Sequence, residues 1–398
     1  TERIRRLRRN ILELVLTDYP QDRIQAADGK LPTEFQKVLS SVGIPGVRYP
    51  LRNNRSEIIE DRSHPYIWSD LSECIKCYRC VRACDELQSE HVLGIMGRGN
   101  ESRIIKGFNE SFIDSPCVSC GACVQACPTN ALSDRYGTKT VLADKVVRTV
   151  CTYCGVGCNL EVKVKEGVVR GIQAPVDAEV NRGHSCVKGR FAFEFYNHRD
   201  RLKSPLIKKN GRFEEVSWKE AYSYAASRFK EIKDKYGPDS LAGISSARCT
   251  NEENYLMQKF FRIVIGTNNI DGCARVCHAP TAMGMRWAFG TGAATNSVSD
   301  IYKTSCILLV GSNPTSAHPV TGVKIRSMAQ RGIPLIVIDP LKIDLAKFAT
   351  YHLQNRPGTN VAVLNMFAWY ILEEGLTDKN FIDKRTEGWN DFFNYLRN

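Results

Sequence analysis

No cysteine occurs in residues 1–73, although the rest of the 398-residue chain holds sixteen. That first segment therefore offers no thiolate to any metal. No apolar run approaches the roughly 18 residues of a membrane-spanning helix. Ile11 to Leu16, behind the basic start, is too short and too acidic for a secretion signal. The pattern G-x-G-x-x-G is missing, which leaves a common nicotinamide-dinucleotide site unsupported. No basic-aromatic module is present, so a net charge of +12 does not read as affinity for nucleic acid. A solvated basic surface, or an acidic partner or cofactor, accounts for it. With 43% hydrophobic and 25% charged residues the composition is that of a soluble globular protein, and the length implies two or three domains.

In a chain this long, cysteines are not needed as staples, and their C-x-x-C clustering favours metal over disulfides in a reducing, cytoplasmic setting. The periodicity of Ile4, Leu7, Ile11, Leu14 and Val15 predicts an amphipathic helix from Ile4 to Leu16. A Gly/Pro-broken stretch follows through Pro32, Gly43, Pro45, Gly46 and Pro50, so 1–60 reads as a helical and linker segment. Next come Cys74-x-x-Cys77-x-x-Cys80-x-x-x-Cys84 and Cys117-x-x-Cys120-x-x-Cys123-x-x-x-Cys127. This repeated spacing is that of two-cluster ferredoxins, in which the fourth cysteine of each run reaches across to the other cube. Cys74, Cys77, Cys80 and Cys127 then hold one [4Fe-4S] cluster, and Cys117, Cys120, Cys123 and Cys84 the other. Zinc is the rival, but three ligands crowded on one loop is not usual zinc spacing. Cys84 precedes Asp85, where the repeat has Pro128 after Cys127, a difference that bears on the loop exit. The two-cluster module spans 61–145.

A third set, Cys151, Cys154, Cys158 and the distant Cys186, occupies 146–203. Alternating segments over 160–164 and 168–172, joined through Glu166-Gly167, predict a hairpin that folds Cys186 back onto the loop. Four cysteines leave zinc open here, but Lys188, two residues past Cys186, could bridge a cluster and an anionic cofactor. From 204 to 398 the texture changes to helices over 217–236, 252–265, 320–331 and 359–374, alternating with strands over 241–244, 307–310 and 334–338. That alternation predicts a doubly wound α/β sheet. Gly311-Ser312-Asn313 and Asp339 then fall at strand ends, as turns or as a dinucleotide cradle. Cys277 and His278 stand together before Ala-Pro, a soft metal ligand beside a group that moves protons near neutral pH.

Taken together, the chain resembles the molybdenum- or tungsten-dependent formate dehydrogenases among the bis-pterin oxidoreductases. The resemblance rests on Cys151/Cys154/Cys158/Cys186 with Val187-Lys188-Gly189, on Cys273-Ala-Arg-Val-Cys277-His278-Ala-Pro-Thr281, on Gly311-Ser312-Asn313-Pro314, and on Arg356-Pro357-Gly358-Thr359-Asn360. It implies a bis-(molybdopterin guanine dinucleotide) centre with Mo or W, ligated by Cys277. His278 would orient formate or handle its proton, and Lys188 would lie between the third cluster and one pterin. Asp339, Pro357, Gly358 and Thr359 would join Gly311, Ser312 and Asn313 as nucleotide contacts. Electrons would pass through three [4Fe-4S] clusters to a diaphorase-, ferredoxin- or hydrogenase-type partner subunit in a hetero-oligomer. Longer members carry a further His-plus-three-Cys motif, and residues 1–73 lack its cysteines. Members also run on past this length, so the resemblance implies a pocket completed elsewhere. The alternatives are a non-catalytic wiring subunit like the large iron–sulfur subunit of NADH dehydrogenase, and a nitrate-type sister enzyme. Cys249 and Cys306 read as buried thiols, and Cys273 as packing beside the active loop.

Overall fold

The computed structural model describes residues 1–44, 46–51 and 60–397, in two compact units, 1–297 and 298–398. Helix α1 (Glu2–Leu16) is amphipathic, but the side it buries is not the predicted one. Ile4, Leu7, Ile11 and Leu14 are exposed, while Glu13 and Leu16 are fully buried. The reason is an ion pair. Glu13 is held by Arg48 at 2.6 Å and Arg9 at 3.0 Å, which turns Leu12, Val15 and Leu16 toward Phe35 and Leu39. Those two belong to α2 (Glu34–Val42), a helix inside the stretch read as Gly/Pro-broken. Its start is fixed reciprocally: Thr33 Oγ1 accepts from the Gln36 amide at 3.3 Å, and Gln36 Oε1 accepts from the Thr33 amide at 2.8 Å. Pro45 and residues 52–59 of the predicted linker lie outside the described residues.

The ferredoxin-like region is a pseudo-repeat. Strand β1 (Ile67–Ser69) and helix α3 (Arg79–Arg82) carry the first set, β2 (Leu93–Met96) and β3 (Arg103–Lys106) form a hairpin, and α4 (Ala122–Ala126) and β4 (Leu132–Asp134) carry the second. β1 and β4 pair antiparallel, Trp68 opposite Ser133, so the two halves share one core with Phe112, Val124 and Phe191. The residue after each fourth cysteine decides the exit. Pro128 cannot continue a helix, and α4 stops with Cys127 in extended backbone. Asp85 can, and the chain runs on through a π-helical turn, Ala83–Leu87.

Next, β5 (Lys145–Val150), β6 (Asn159–Lys165) and β7 (Val168–Gln173) form an antiparallel sheet. β6 and β7 are the predicted hairpin; β5 is additional, and its largely exposed residues gave no alternation to read. Helices α5 (Val187–Phe191) and α6 (Glu194–Asn197) close this region, and β8 (Leu206–Lys209) pairs with β9 (Arg212–Glu215). α7 (Trp218–Tyr236) starts at Ser217, whose Oγ accepts from the Glu220 amide at 3.2 Å. The Glu220 carboxylate pairs with Lys209 rather than the Ser217 amide, so only half of a capping box forms. β10 (Gly243–Ser245) and β11 (Ile270–Gly272) run parallel, separated by α8 (Asn251–Lys259) and a π-helical turn, over a core of Leu241, Phe261 and Ile265. α9 (Ala274–Cys277) and α10 (Ala279–Phe289) follow directly on β11.

In the second unit β12 (Ile307–Val310) leads through α11 (Pro314–Ala317) and α12 (Pro319–Gln330) to β13 (Leu335–Ile338) and β14 (Tyr351–Leu353). All three strands are parallel in the order β12-β13-β14. Leu335, Val337 and Leu345 are fully buried beneath α12. α13 (Asn360–Glu373), α14 (Lys379–Arg385) and α15 (Trp389–Arg397) complete the unit. The α/β class is as the alternation predicts, with the parallel strands divided between the two units. Cys249 and Cys306 are both exposed, against expectation. Cys249 lies in the loop beyond β10, and Cys306 precedes an edge strand, so neither has a second layer to cover it.

Candidate metal and cofactor site

All sixteen cysteines are free thiols. The first two loops have the same backbone. Lys76 and Ser119 adopt left-handed φ of 56° and 57°, each two residues past the first cysteine. Their amides donate to Cys74 Sγ and Cys117 Sγ, both at 3.4 Å. Tyr78 and Gly121, two residues further, are left-handed too. A non-glycine residue held there costs energy, so the tight loop is imposed by its surroundings.

The loops bring thiols together across the repeat. Burial pushes the Cys80 thiol up to about 12, helped by Cys127, Cys74 and Cys77. These four line one small cavity with Ile104 and Leu132. Cys123 is raised by burial and then by Cys120, Cys117, Cys80 and Cys84. Cys84 thus acts electrostatically on the second loop, and Cys127 lines the cavity of the first. In the third set, burial and then Cys151, Cys154 and Cys186 push Cys158 up to about 12. Among the described residues no three His, Cys, Asp or Glu side chains converge closely enough to hold a single metal ion. The four thiols of the first set, distributed around their cavity, suit a multi-iron cube.

Three residues overlooked in the sequence organise these sets. Asn181, 1% exposed, closes the excursion to Cys186: its Oδ1 accepts from the Asn159 amide at 2.8 Å, and its Nδ2 donates to the Asn159 and His184 carbonyls at 3.1 and 2.6 Å. His64 Nδ1 accepts from the Tyr66 and Ile67 amides at 3.1 and 3.0 Å, which puts the ring proton on Nε2, 2.9 Å from Ser119 Oγ. Burial lowers its pKa and favours that neutral ring. Arg190 leaves the third set on α5 and reaches the second loop. Its Nε donates to the Cys120 carbonyl and its Nη1 to Gln125 Oε1, each at 2.8 Å. No spacing signals these roles, because each depends on burial between segments far apart in the chain.

Lys188 lies on α5 within electrostatic reach of Cys151, and a Cβ on the neighbouring Gly189 would stand 2.9 Å from Ser185 Oγ and in ordinary contact, 3.5 Å, with Cys151 Sγ. Cys277 and His278 are exposed at the junction of α9 and α10, just past the carboxyl end of β11. Cys273 is exposed as well, and its Sγ accepts from the Ala247 amide at 3.2 Å, tying the strand-end loops of β10 and β11 together. Arg248, in the β10 loop, donates to the Thr152 carbonyl at 3.3 Å. The Cys277 loop is thereby linked to the third cysteine set.

In the second unit the predicted loops line up along the carboxyl edge of the parallel sheet. The Gly311 amide donates to the Ile338 carbonyl at 2.8 Å, and the Asp339 amide to Leu353 at 3.2 Å. Asp339 Oδ1 accepts from the Leu341 amide at 2.8 Å, and Asn313 Oδ1 accepts from the Thr315 hydroxyl at 3.0 Å. Ser312 lies between these strand-end groups. After β14, Thr359 Oγ1 donates to the Arg356 carbonyl at 2.7 Å, closing the Pro357-Gly358 turn. Asn355, not anticipated, has its Oδ1 buried there without a hydrogen-bond partner. An orphaned acceptor beside strand-end turns suits a polar ligand edge.

Residues 201–391 match the molybdopterin oxidoreductase family, and residues 144–198 its Fe4S4 domain. The chain belongs to the molybdopterin oxidoreductase family. Residues 64–133 match the ferredoxin-like domain of NADH-quinone oxidoreductase subunit 3. Among relatives of this family member, the Probable oxidoreductase YjgC of Bacillus subtilis (strain 168) is 36% identical over 378 residues, covering 85% of this chain and 38% of the relative. The Putative formate dehydrogenase SAS2201 of Staphylococcus aureus (strain MSSA476) is 34% identical over 392 residues, covering 88% of this chain and 40% of the relative. The chain thus spans about two fifths of the length of these relatives. Acetylene hydratase from Pelobacter acetylenicus superposes with a TM-score of 0.54 at 25% identity, over 63% of this chain and 35% of that one. Molybdopterin and [4Fe-4S] chemistry follow from the family. No described helix is long and apolar enough to cross a membrane.

Proposed function

We propose that this chain serves formate–CO2 interconversion, in the cytoplasm, at a molybdenum or tungsten bis-pterin centre. The observation that carries the reading is the position of Cys277-His278 at the carboxyl end of a parallel strand, in a loop linked through Cys273 and Arg248 to the third cysteine set. Formate gives CO2, a proton and two electrons, and the metal–pterin group would take the electron pair when bound. The Cys277 thiolate is a soft ligand suited to a metal already held by sulfur, and the His278 imidazole can hold formate or receive its proton. Lys188 supplies a positive charge beside Cys151, toward the anionic cofactor. Gly311, Ser312, Asn313, Asp339, Pro357, Gly358 and Thr359 would hold a pterin nucleotide.

The twelve remaining ligand cysteines would hold three [4Fe-4S] clusters. The packing of α5 on Gly121 supports an order from the Cys151 set to the Cys117 set and then to the Cys74 set. Cys77 of that last set is exposed, and Ile75 beside it packs on the amino-terminal helices, so this face is the proposed exit to an electron-accepting partner subunit. A wiring-only role is the second reading, favoured by the match of 64–133 to an NADH-quinone oxidoreductase domain.

Formate-dependent viologen reduction by the full-length protein separates the two. Cys277→Ala should abolish it while leaving about twelve iron atoms per chain. Full activity in that variant would eliminate the mechanism, and about four iron atoms in the parent would eliminate the three-cluster wiring.

A further inference from the structure

Arg190 is 4% exposed and carries a guanidinium that stays charged in proteins. Among the described residues no carboxylate lies within ion-pair distance of it. Its Nε and Nη1 donate to the Cys120 carbonyl and Gln125 Oε1, and its Nη2 is buried without a partner. Asp134 is within electrostatic range, but its Oδ1 accepts from the Tyr136 and Thr138 amides and the Thr138 hydroxyl. The approach is built in. A Cβ on Gly121 would stand 2.3 Å from Arg190 Cδ and 2.8 Å from Nε, so only glycine lets the side chain enter the Cys120–Cys123 loop. Phe191 enters beside it and stacks on Tyr66 at 5.1 Å.

A buried cation with one unsatisfied donor and no paired carboxylate is costly, and an anion must offset it. Thiols of two cysteine sets, Cys120 and Cys123 of the second and Cys186 of the third, act electrostatically on this guanidinium. Four thiolates on an iron–sulfur cube leave a net anion, and one added electron makes it more negative. A fixed positive charge therefore favours the reduced cluster over the oxidised one.

We infer that Arg190 is a positioning residue for electron transfer, a buried countercharge that raises the reduction potential of the cluster held by Cys84, Cys117, Cys120 and Cys123. The inference rests on the three-cluster reading above. The bonding would not change in the step: one electron would pass from a cluster held by the Cys151 set, oxidising it, to one held by the Cys117 set, reducing it, and the Arg190 guanidinium would stabilise the added charge there. The residue thus biases flow from the third set into the ferredoxin-like pair.

The test is a potentiometric titration of the full-length protein, followed by electron paramagnetic resonance, with iron measured in the same samples. Arg190→Gln should retain its iron and lower the reduced-to-oxidised ratio of one cluster about tenfold at fixed potential, which is about 59 mV for a one-electron couple. The signal that moves should be the one altered by Cys117→Ser and not by Cys74→Ser. Arg190→Lys, which keeps the charge, should restore most of the shift. Unchanged potentials in Arg190→Gln with iron retained would overturn the inference, and so would loss of iron in both variants, which marks a structural brace. About four iron atoms in the parent would instead remove the underlying three-cluster reading, independently of Arg190.

Discussion

The Asn181 amide holds two chain segments at once, accepting from the Asn159 backbone and donating to Asn159 and His184. It stands where the chain must return from β7 to deliver Cys186 beside Cys151 and Cys158. Asn181→Ala would leave the half-buried Asn159 amide and His184 carbonyl without these partners. At about 1–3 kcal/mol for each orphaned group, the variant should lose roughly 2–6 kcal/mol in denaturant unfolding. It should also lose about four iron atoms while the ferredoxin-like sets keep theirs. Retention of all the iron would show that the hairpin alone positions Cys186. Arg190 and His64 belong to the same scale: each is a polar side chain that burial places against a cysteine loop, where its charge or ring nitrogens then act.

At the scale of elements, helix starts and stops are settled by single residues. Pro128 ends α4, and Asp85 at the equivalent position lets α3 run into a π-helical turn. Thr33 and Gln36 start α2 within a sequence otherwise broken by glycine and proline. Gln36 Nε2 also donates to the Arg23 and Gln25 carbonyls at 2.9 Å, so the cap anchors the preceding loop. Thr33→Ala should cost about 1 kcal/mol and lower the Tm by roughly 2–4 °C for a unit of this size, read by circular dichroism. An unchanged melt would mean that packing on α1, rather than the cap, holds α2 in place. The exposed side of α1 carries the same lesson from the opposite direction. Its apolar periodicity is real, yet the Glu13–Arg48–Arg9 pairing decides which side is buried.

At the scale of the molecule, the twelve proposed cluster cysteines all lie in the first unit, whereas the second has its own core of Leu335, Val337 and Leu345. Extracting iron should therefore loosen the first unit selectively, since metal binding and folding are coupled. Hydrogen exchange is expected to rise over 117–127 and 151–160 while Leu335–Ile338 stays protected; equal loss of protection in both would contradict separate cores. How much of this was legible in advance follows from the range of the forces involved. The cysteine spacings, the 160–172 hairpin and the strand-end turns at Gly311 and Asp339 are local, set by a few consecutive residues. The sequence therefore determined the cluster motifs, the α/β alternation and the Cys277-His278 pair by itself. Tertiary structure alone decided which face of α1 is buried, that Cys249 and Cys306 face outward, that Asn181 clamps the third set, and that Arg190 lies between two cysteine sets. Each of those depends on contacts between residues distant in sequence, where burial changes the energy of a charge or an amide that reads in the sequence as an ordinary surface group.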